Sequence, residues 1–551
     1  MRHSFSNPNP LIRLRSACTA FRKPFCILYF YAVLLNLPLI TRRLTNDLDG
    51  LWNQDDHVSG SWEYSIGRWF WPLLDKLRFR ISLDPLPALA ALALYVVSFL
   101  LILEILGLSV SCITYLMGFM FLSSVGLTCQ LSFGFMAITF GMSFFLAVLP
   151  LWLLTHSIRN HSKAPSRIIV SPGSVLLAAL CICLMMGLYQ AGIGSTCLLS
   201  LFVLLYSLVR ESLGGKDSSH GAKAMRISFL LQIAAATFIG GILYVLLMKL
   251  SFAVTGTTAS DYQGLAELSF TYLLSELPSA AAHGYLALRH YFADGVFRSS
   301  RLIGSFLVPV LYLPFLLVLL WCLCKVKAAS RRCAVLFAAG ILISPVAANC
   351  FYLVAPATET HMQMTVSMGL LLPLILGLTK LLPIRYDDRR DRRFAPGRTA
   401  AILVLLAGIL VLYGNALQCI TDQYAMLVGR RATQTLAESI LAEANRQGYD
   451  LINGQLLITD SPHSSKTFCT ADLYNEANSY AQYGNWSHDV AFSRVSWSKF
   501  YSNYLRINVS FAVGDTETTI ASLPEVAAMP SYPAAGSAQN VYGVLVVKLG
   551  E

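Results

Sequence analysis

The chain has 551 residues, of which 55% are hydrophobic and only 13% charged, and its mean hydropathy is +0.58. Soluble domains carry roughly 25% charged residues, so a soluble globular protein is excluded. The net charge of +11 sits in short loops between apolar runs, which is a signature of membrane topology and not of a nucleic-acid-binding surface.

The apolar runs have the length of about 17 to 25 residues needed to cross ~30 Å of hydrocarbon. Residues 1–23 form a basic segment (Arg13, Arg15, Arg22, Lys23) expected in the cytoplasm. The first run, 24–41, has no small-residue cleavage site after it, and Pro38 and Arg42 follow directly. It reads as a retained helix and not as a signal peptide. Further spans are expected at 86–106, 108–127, 131–154, 172–190, 193–209, 228–254, 302–324, 333–355, 362–382 and 399–417. Residues 24–417 therefore read as a polytopic α-helical membrane unit of about eleven transmembrane helices, with 108–127 and 193–209 the two spans where a short hairpin is hardest to tell from a helix. With the N-terminus inside, loops 155–171, 210–227, 325–332 and 383–398 are all basic, while the short opposite loops near 128–130, 191–192 and 356–361 contain no Lys or Arg. That is the positive-inside pattern of a multi-pass protein of a bacterial inner membrane.

Two long loops fall on the far side. The first, 42–85, holds Arg42, Arg43, Arg68, Lys76, Arg78 and Arg80 together with Asp47, Asp49, Asp55, Asp56, Glu63 and Asp75. The second, 255–301, holds Asp261, Glu267, Glu276, His283, Arg289 and His290. Beyond residue 417 the composition changes: 418–551 carries eight basic and twelve acidic side chains, a net −4 against +15 for the rest. Residues 421–447 read as an amphipathic helix, and Leu456–Thr459 and Val541–Leu549 as strands, giving a small extracytoplasmic (periplasmic) α/β domain over 418–551. The thirteen cysteines lie mostly inside apolar runs, where they act as small hydrophobes. Only Cys419 and Cys469 fall outside the membrane on the far side, and a disulfide between them is an open expectation.

The segment richest in chemistry is Trp52-Asn53-Gln54-Asp55-Asp56, followed by Trp62 and Gly67-Arg68-Trp69. One reading is a solvated loop with an interfacial aromatic belt. The other is an acid/base site at headgroup depth: sugar transfer from a lipid phosphate needs a carboxylate to take the hydroxyl proton and cations to hold the departing phosphate. Asp55 and Asp56 suit the first role, and the planar fork of Arg68 the second. Glu359 and His361 open the tenth span on the same side, where ionisable groups at membrane depth are costly and often functional. His283 and His290 are seven residues apart, too far to grip one metal ion unaided.

At these residues the chain resembles the GtrII-type family of bacterial and phage-encoded, serotype-converting O-antigen glucosyltransferases. Asp55, Asp56, Trp62, Gly67 and Arg68 match in order the Asp-Asp, Trp, Gly-Arg pattern of that family's first extracytoplasmic loop. Tyr189-Gln190 resembles its Tyr-Gln motif, and Pro530 to Leu549 its closing strand. The resemblance implies the GT-C-like architecture of polytopic glycosyltransferases. It implies glucosyl (hexosyl) transfer from undecaprenyl-phosphate-sugar to a glycan acceptor such as O-antigen of lipopolysaccharide, on the periplasmic face, by an inverting general-base displacement. It favours Asp55 over Asp56 as the base; Trp62, Tyr189 and Gln190 are expected substrate contacts, and Glu359 and His361 join them on their place at membrane depth. His57 and Val58 stand where family members carry an Arg, so Arg68 and Arg43 have to supply the donor-phosphate contact. No cofactor is implied and a divalent cation stays open; the expected partners are the lipid-linked donor, the glycan acceptor, the bilayer, and a separate donor synthase and flippase. A lipid-linked glycan flippase and a polymerase-type enzyme are the alternatives. The first ranks lower because few charges lie inside the spans and no repeat is seen, and the second because the acidic loop follows the first span and not a late one.

Overall fold

The computed structural model describes residues 10–55, 57–77, 84–161, 170–213, 219–261, 275–295, 308–353, 360–381, 396–486, 492 and 494–550. Long helices dominate, because a chain in hydrocarbon must satisfy its backbone hydrogen bonds within itself. In chain order they are α1 (Pro10–Leu35), the single turn α2 (Leu37–Thr41), the short loop helices α3 (Asp49–Trp52), α4 (Ser61–Ser65) and α5 (Phe70–Asp75), then α6 (Leu86–Ile105), α7 (Cys112–Leu122), α8 (Val125–Leu131), α9 (Ala137–His161), α10 (Pro172–Leu188), α11 (Gly192–Leu213), α12 (Ser219–Thr255), α13 (Leu277–His290), α14 (Val308–Ala329), α15 (Arg331–Ala348), α16 (Val366–Leu378) and α17 (Pro396–Arg446).

Among the described residues, seven helices (α6, α9, α11, α12, α14, α15 and α17) are long and apolar enough to cross a membrane. A helix stands at each of the eleven expected places, but α1 at the first of them is not among the seven, and α10 and the run Val366–Leu381 are shorter. The expected span 108–127 is not one helix: α7 and α8 meet at a 52° bend and count as an eighth, broken span. The bend falls at Ser123-Ser124, where Ser123 Oγ bonds back to Phe119 O at 2.8 Å and competes with the helical ladder. Aromatic side chains of α6, α7 and α11 (Tyr95, Phe99, Phe121, Phe202) are fully buried. On α12 and α14, Phe238, Leu246, Val254, Val310 and Leu313 are exposed, the apolar face a bilayer covers.

Helix α17 has 51 residues, about 77 Å of rise, so it outruns a ~30 Å hydrocarbon layer. The amphipathic helix expected at 421–447 is its distal half, burying Leu436, Ala437, Ile440 and Ala444. Beyond it lie β1 (Gln455–Thr459), α18 (Asp472–Tyr480), α19 (Arg494–Phe500), β2 (Ala538–Val541) and β3 (Val544–Lys548). The sheet order is β1-β3-β2, with β1 parallel and β2 antiparallel to β3. The single strand expected at 541–549 is therefore corrected to the end of a hairpin. Tyr542 (φ 50°) and Gly543 (φ 86°) turn the chain, the pair of positive φ values that a two-residue turn between twisted strands needs. Cys419 and Cys469 are both free thiols; the first is buried and accepts from Gln423 Nε2 at 2.9 Å, so the expected disulfide is absent.

Candidate active site

The first long loop is fixed from below by the bent span. Thr45 Oγ1 donates to Ser132 O at 2.8 Å and Asn46 N to the same oxygen at 3.3 Å. Asn46 Oδ1 then accepts from Leu48 N at 3.2 Å and Gly50 N at 2.9 Å, an Asx turn that launches α3 and places Asp49 at its first position. Gly50 is required here: a Cβ would lie 1.8 Å from Thr45 Oγ1 and 2.8 Å from Ser132 O. Gly50→Ala is expected to cost about 1–3 kcal/mol, as overpacking does, and to lower transfer. Gly60→Ala, whose Cβ meets only Val58 O at 4.0 Å, is expected to leave thermal unfolding in detergent close to the parent value.

Most acids of the loop have structural partners. Asp75 Oδ2 accepts from Ser59 Oγ at 2.6 Å. Glu63 Oε2 accepts from Gly60 N at 2.5 Å, and its Oε1 lies 3.7 Å from His57 Nε2. Asp84 Oδ2 pairs with Arg43 Nε at 3.3 Å. Asp55 is clamped between Arg43 and Arg506. Among the described residues the Asp49 carboxylate makes no hydrogen bond and no ion pair within 4 Å.

Asp49 opens into a cavity of about 1110 Å³, lined also by Trp52, His57, Trp62, Glu63 and Arg68 of the loop, by Tyr189 and Gln190 at the end of α10, and by His361. Phe133, Phe135, Met136, Phe140 and Met186 form an apolar wall at the ends of α9 and α10, and Gln482, Tyr483 and Asn485 complete the lining. Protein surrounds Asp49 on most sides although the side chain is open to the cavity, and this burial raises its carboxyl above the ordinary range; Arg68 and then His361 oppose the rise. Arg68 lies over the rings of Tyr189 at 5.0 Å and Trp71 at 5.9 Å, which hold the guanidinium plane, and its buried Nε has no hydrogen-bond partner. The preceding Gly67 (φ 78°) permits this placement: a Cβ would meet Tyr244 Oη at 2.5 Å. Gln130 of α8 donates to Gln363 O at 2.7 Å, so the bent span also props the turn that carries His361. No three His, Cys, Asp or Glu side chains converge as a metal site among the described residues.

Asp49, which has no hydrogen-bond or ion-pair partner among the described residues, and the ring-stacked Arg68 share one large cavity at the ends of apolar helices. The chain matches the family described as Glucosyl transferase GtrII over residues 48–376, more than half its length. The chain belongs to the GtrII glucosyl transferase family. As a GtrII member it is a glycosyltransferase that moves a glucosyl group, built on apolar helices suited to a membrane. No curated protein and no solved structure matches it.

In this GtrII chain the cavity unites Trp62, Arg68, Tyr189, Gln190 and His361. Two expected residues stand elsewhere. Asp55 does not line the cavity, because Arg43 and Arg506 hold it outside. Arg43 is likewise spent on Asp55 and Asp84 and is not a free phosphate ligand. Asp56 and Glu359 lie outside the described residues. His283 packs at a tilt against Tyr352, ring centroids 5.3 Å apart, and is not part of the cavity lining. The residues that sequence reasoning passed over are Asp49, His57 and the segment Gln482–Asn485. No sequence signal singled out Asp49, since the need for Gly50 beside it is visible only in the packing against Thr45 and Ser132. Asp55→Asn is expected to lose partly exposed ion pairs costing about 1 kcal/mol in total, seen as a modest fall in unfolding temperature, while transfer by the folded protein stays within about threefold of parent.

Proposed function

We propose that this GtrII member transfers glucose from a polyprenyl-phosphate carrier, undecaprenyl phosphate in bacteria, to a hydroxyl of a surface glycan such as O-antigen, on the periplasmic face of the inner membrane. The observation that carries the reading is the Asp49 carboxylate, without a hydrogen-bond or ion-pair partner among the described residues, sharing a cavity with Arg68. At 1110 Å³ this cavity is at the upper end for one small ligand and suits two substrates at once. Its apolar wall suits an isoprenoid, and its polar side the sugars.

The face follows from charge. Phe140 in the cavity wall and Arg159 sit on the same helix α9, about 28 Å of rise apart, one hydrocarbon thickness. Arg159, Arg210 and Arg226 gather at the far ends of α9, α11 and α12. Basic residues mark the cytoplasmic side, which supports an outward-facing cavity.

The chemistry is a single displacement. The acceptor oxygen forms a bond to the anomeric carbon while the bond from that carbon to the phosphate oxygen breaks. The electron pair leaves on polyprenyl phosphate, stabilised by Arg68, and the hydroxyl proton passes to Asp49. Attack from the side opposite the phosphate inverts the anomeric centre. Trp52, fixed by Nε1 donating to Ser496 Oγ at 2.8 Å, and Trp62 offer flat faces to pyranose rings. Gln190 spends Nε2 on Ile66 O (2.7 Å) and Tyr244 Oη (3.2 Å), which leaves Oε1 to accept from a glucose hydroxyl, and His361 supplies a further donor. Purified protein given radiolabelled glucose on polyprenyl phosphate or on a nucleotide is the test. Label is expected to reach the glycan only from the lipid; transfer from the nucleotide sugar with the lipid inert would overturn the reading.

A further inference from the structure

Part of the cavity lining is built by a device outside the catalytic loop. Asp422 of α17 is fully buried, and its Oδ1 accepts three consecutive backbone N–H groups: Gln482 at 2.7 Å, Tyr483 at 2.8 Å and Gly484 at 2.7 Å. Oδ2 accepts from Gln418 Nε2 at 2.9 Å. Gly484 packs directly on the helix: a Cβ there would lie 2.3 Å from Asp422 O. Immediately after, Trp486 Nε1 donates to Thr433 Oγ1 of the same helix at 2.8 Å. A carboxylate committed to three backbone donors fixes a loop's path rather than a side chain, and this path presents Gln482, Tyr483 and Asn485 to the cavity. The Asn485 amide has no hydrogen-bond partner among the described residues.

On the reading given above, a lipid-borne donor arrives from the apolar wall of Met136, Phe140 and Met186, and an inverting attack must come from the other side. The segment Gln482–Asn485 lines the same cavity and carries no charge; it brings the amides of Gln482 and Asn485, while the buried Tyr483 hydroxyl is turned to Cys419 Sγ at 3.8 Å. Amides both donate to and accept from hydroxyls, whereas an acidic sugar calls for Arg or Lys. The segment also lies beyond residues 48–376, the part shared with the family.

We propose that Gln482–Asn485, held on α17 by Asp422, is the acceptor subsite, and that it takes a neutral, hydroxyl-rich glycan. Asn485 contacts the acceptor and Asp422 is a positioning residue. This rests on the transfer reaction proposed above.

The test uses full-length protein in nanodiscs with polyprenyl-phosphate glucose. The acceptors are a neutral oligosaccharide released from the host's surface polysaccharide and a uronic-acid oligosaccharide of similar size. Asn485→Ala is expected to raise the KM for the neutral acceptor about tenfold, the equivalent of one well-made hydrogen bond, with the KM for the donor unchanged. Asp422→Asn is expected to move the acceptor KM in the same direction. Should Asp422→Asn fail to fold, Asn485→Ala, on a half-buried side chain, still decides the matter. An unmoved acceptor KM in Asn485→Ala, or a higher kcat/KM for the acidic acceptor, overturns the proposal. Failure of the transfer reading itself is separate: it appears as no label leaving the lipid donor in the parent protein.

Discussion

Asp49→Asn is expected to reduce the rate of glucosyl transfer by about 10²–10⁴-fold, the usual worth of a positioned general base. The substitution keeps size and removes only the proton acceptor. Because no described residue hydrogen-bonds to the Asp49 carboxylate, the fold loses nothing by the change, and thermal unfolding of the variant should match the parent. Initial rates at saturating donor and acceptor, read beside the unfolding temperature, separate lost chemistry from lost protein. The pH profile carries a second signature. Asp49 must be ionised to act, and burial raises its carboxyl above the ordinary range. The acid limb of kcat/KM therefore falls at higher pH than an unperturbed carboxylate would give, with activity lost as pH drops through it.

Arg68→Ala is expected to cost about 10²–10³-fold, the magnitude of losing one preorganised group at a site of developing charge. Arg68→Lys keeps the charge but not the planar fork that Tyr189 and Trp71 stack against, and roughly a tenfold loss is expected. The two sites are electrostatically linked, since Arg68 is the largest influence holding the Asp49 carboxyl down. In Arg68→Ala the acid limb should move to still higher pH. An Arg68→Ala enzyme with an unmoved acid limb would separate the two residues and contradict a shared site.

Much of the scaffold was legible because the bilayer asks so little of a sequence. Apolar runs of the right length place most helices, seven of which, among the described residues, are long and apolar enough to cross a membrane. The break in α7/α8 was not legible: Ser123-Ser124 turns the chain through contacts, and the bend is useful only because Ser132 and Gln130 then hold two distant segments. Which acid of the first loop faces the cavity was not legible for a similar reason. The acids of the first loop look alike in sequence, and their roles are assigned by partners elsewhere. Arg506, 451 residues from Asp55, helps withdraw that carboxylate from the cavity, and Ser59 engages Asp75. Asp49 stands out only by what does not reach it. The segment Gln482–Asn485 is hidden for the same reason, since it meets the site through Asp422 on a helix that the sequence divides into a membrane span and a soluble tail. The hairpin at Tyr542-Gly543 lacks the Asn-Gly or Asp-Gly signal that marks such turns, so two strands read as one.

The most direct measurement is an electron cryomicroscopy structure of the protein in nanodiscs with polyprenyl-phosphate glucose bound. The expected result places the phosphate against Arg68, the isoprenoid along Met136, Phe140 and Met186, and the anomeric carbon facing a hydroxyl-sized gap beside Asp49. A donor phosphate seated instead on Arg43, with Asp55 released from its arginines and turned toward the sugar, would contradict it.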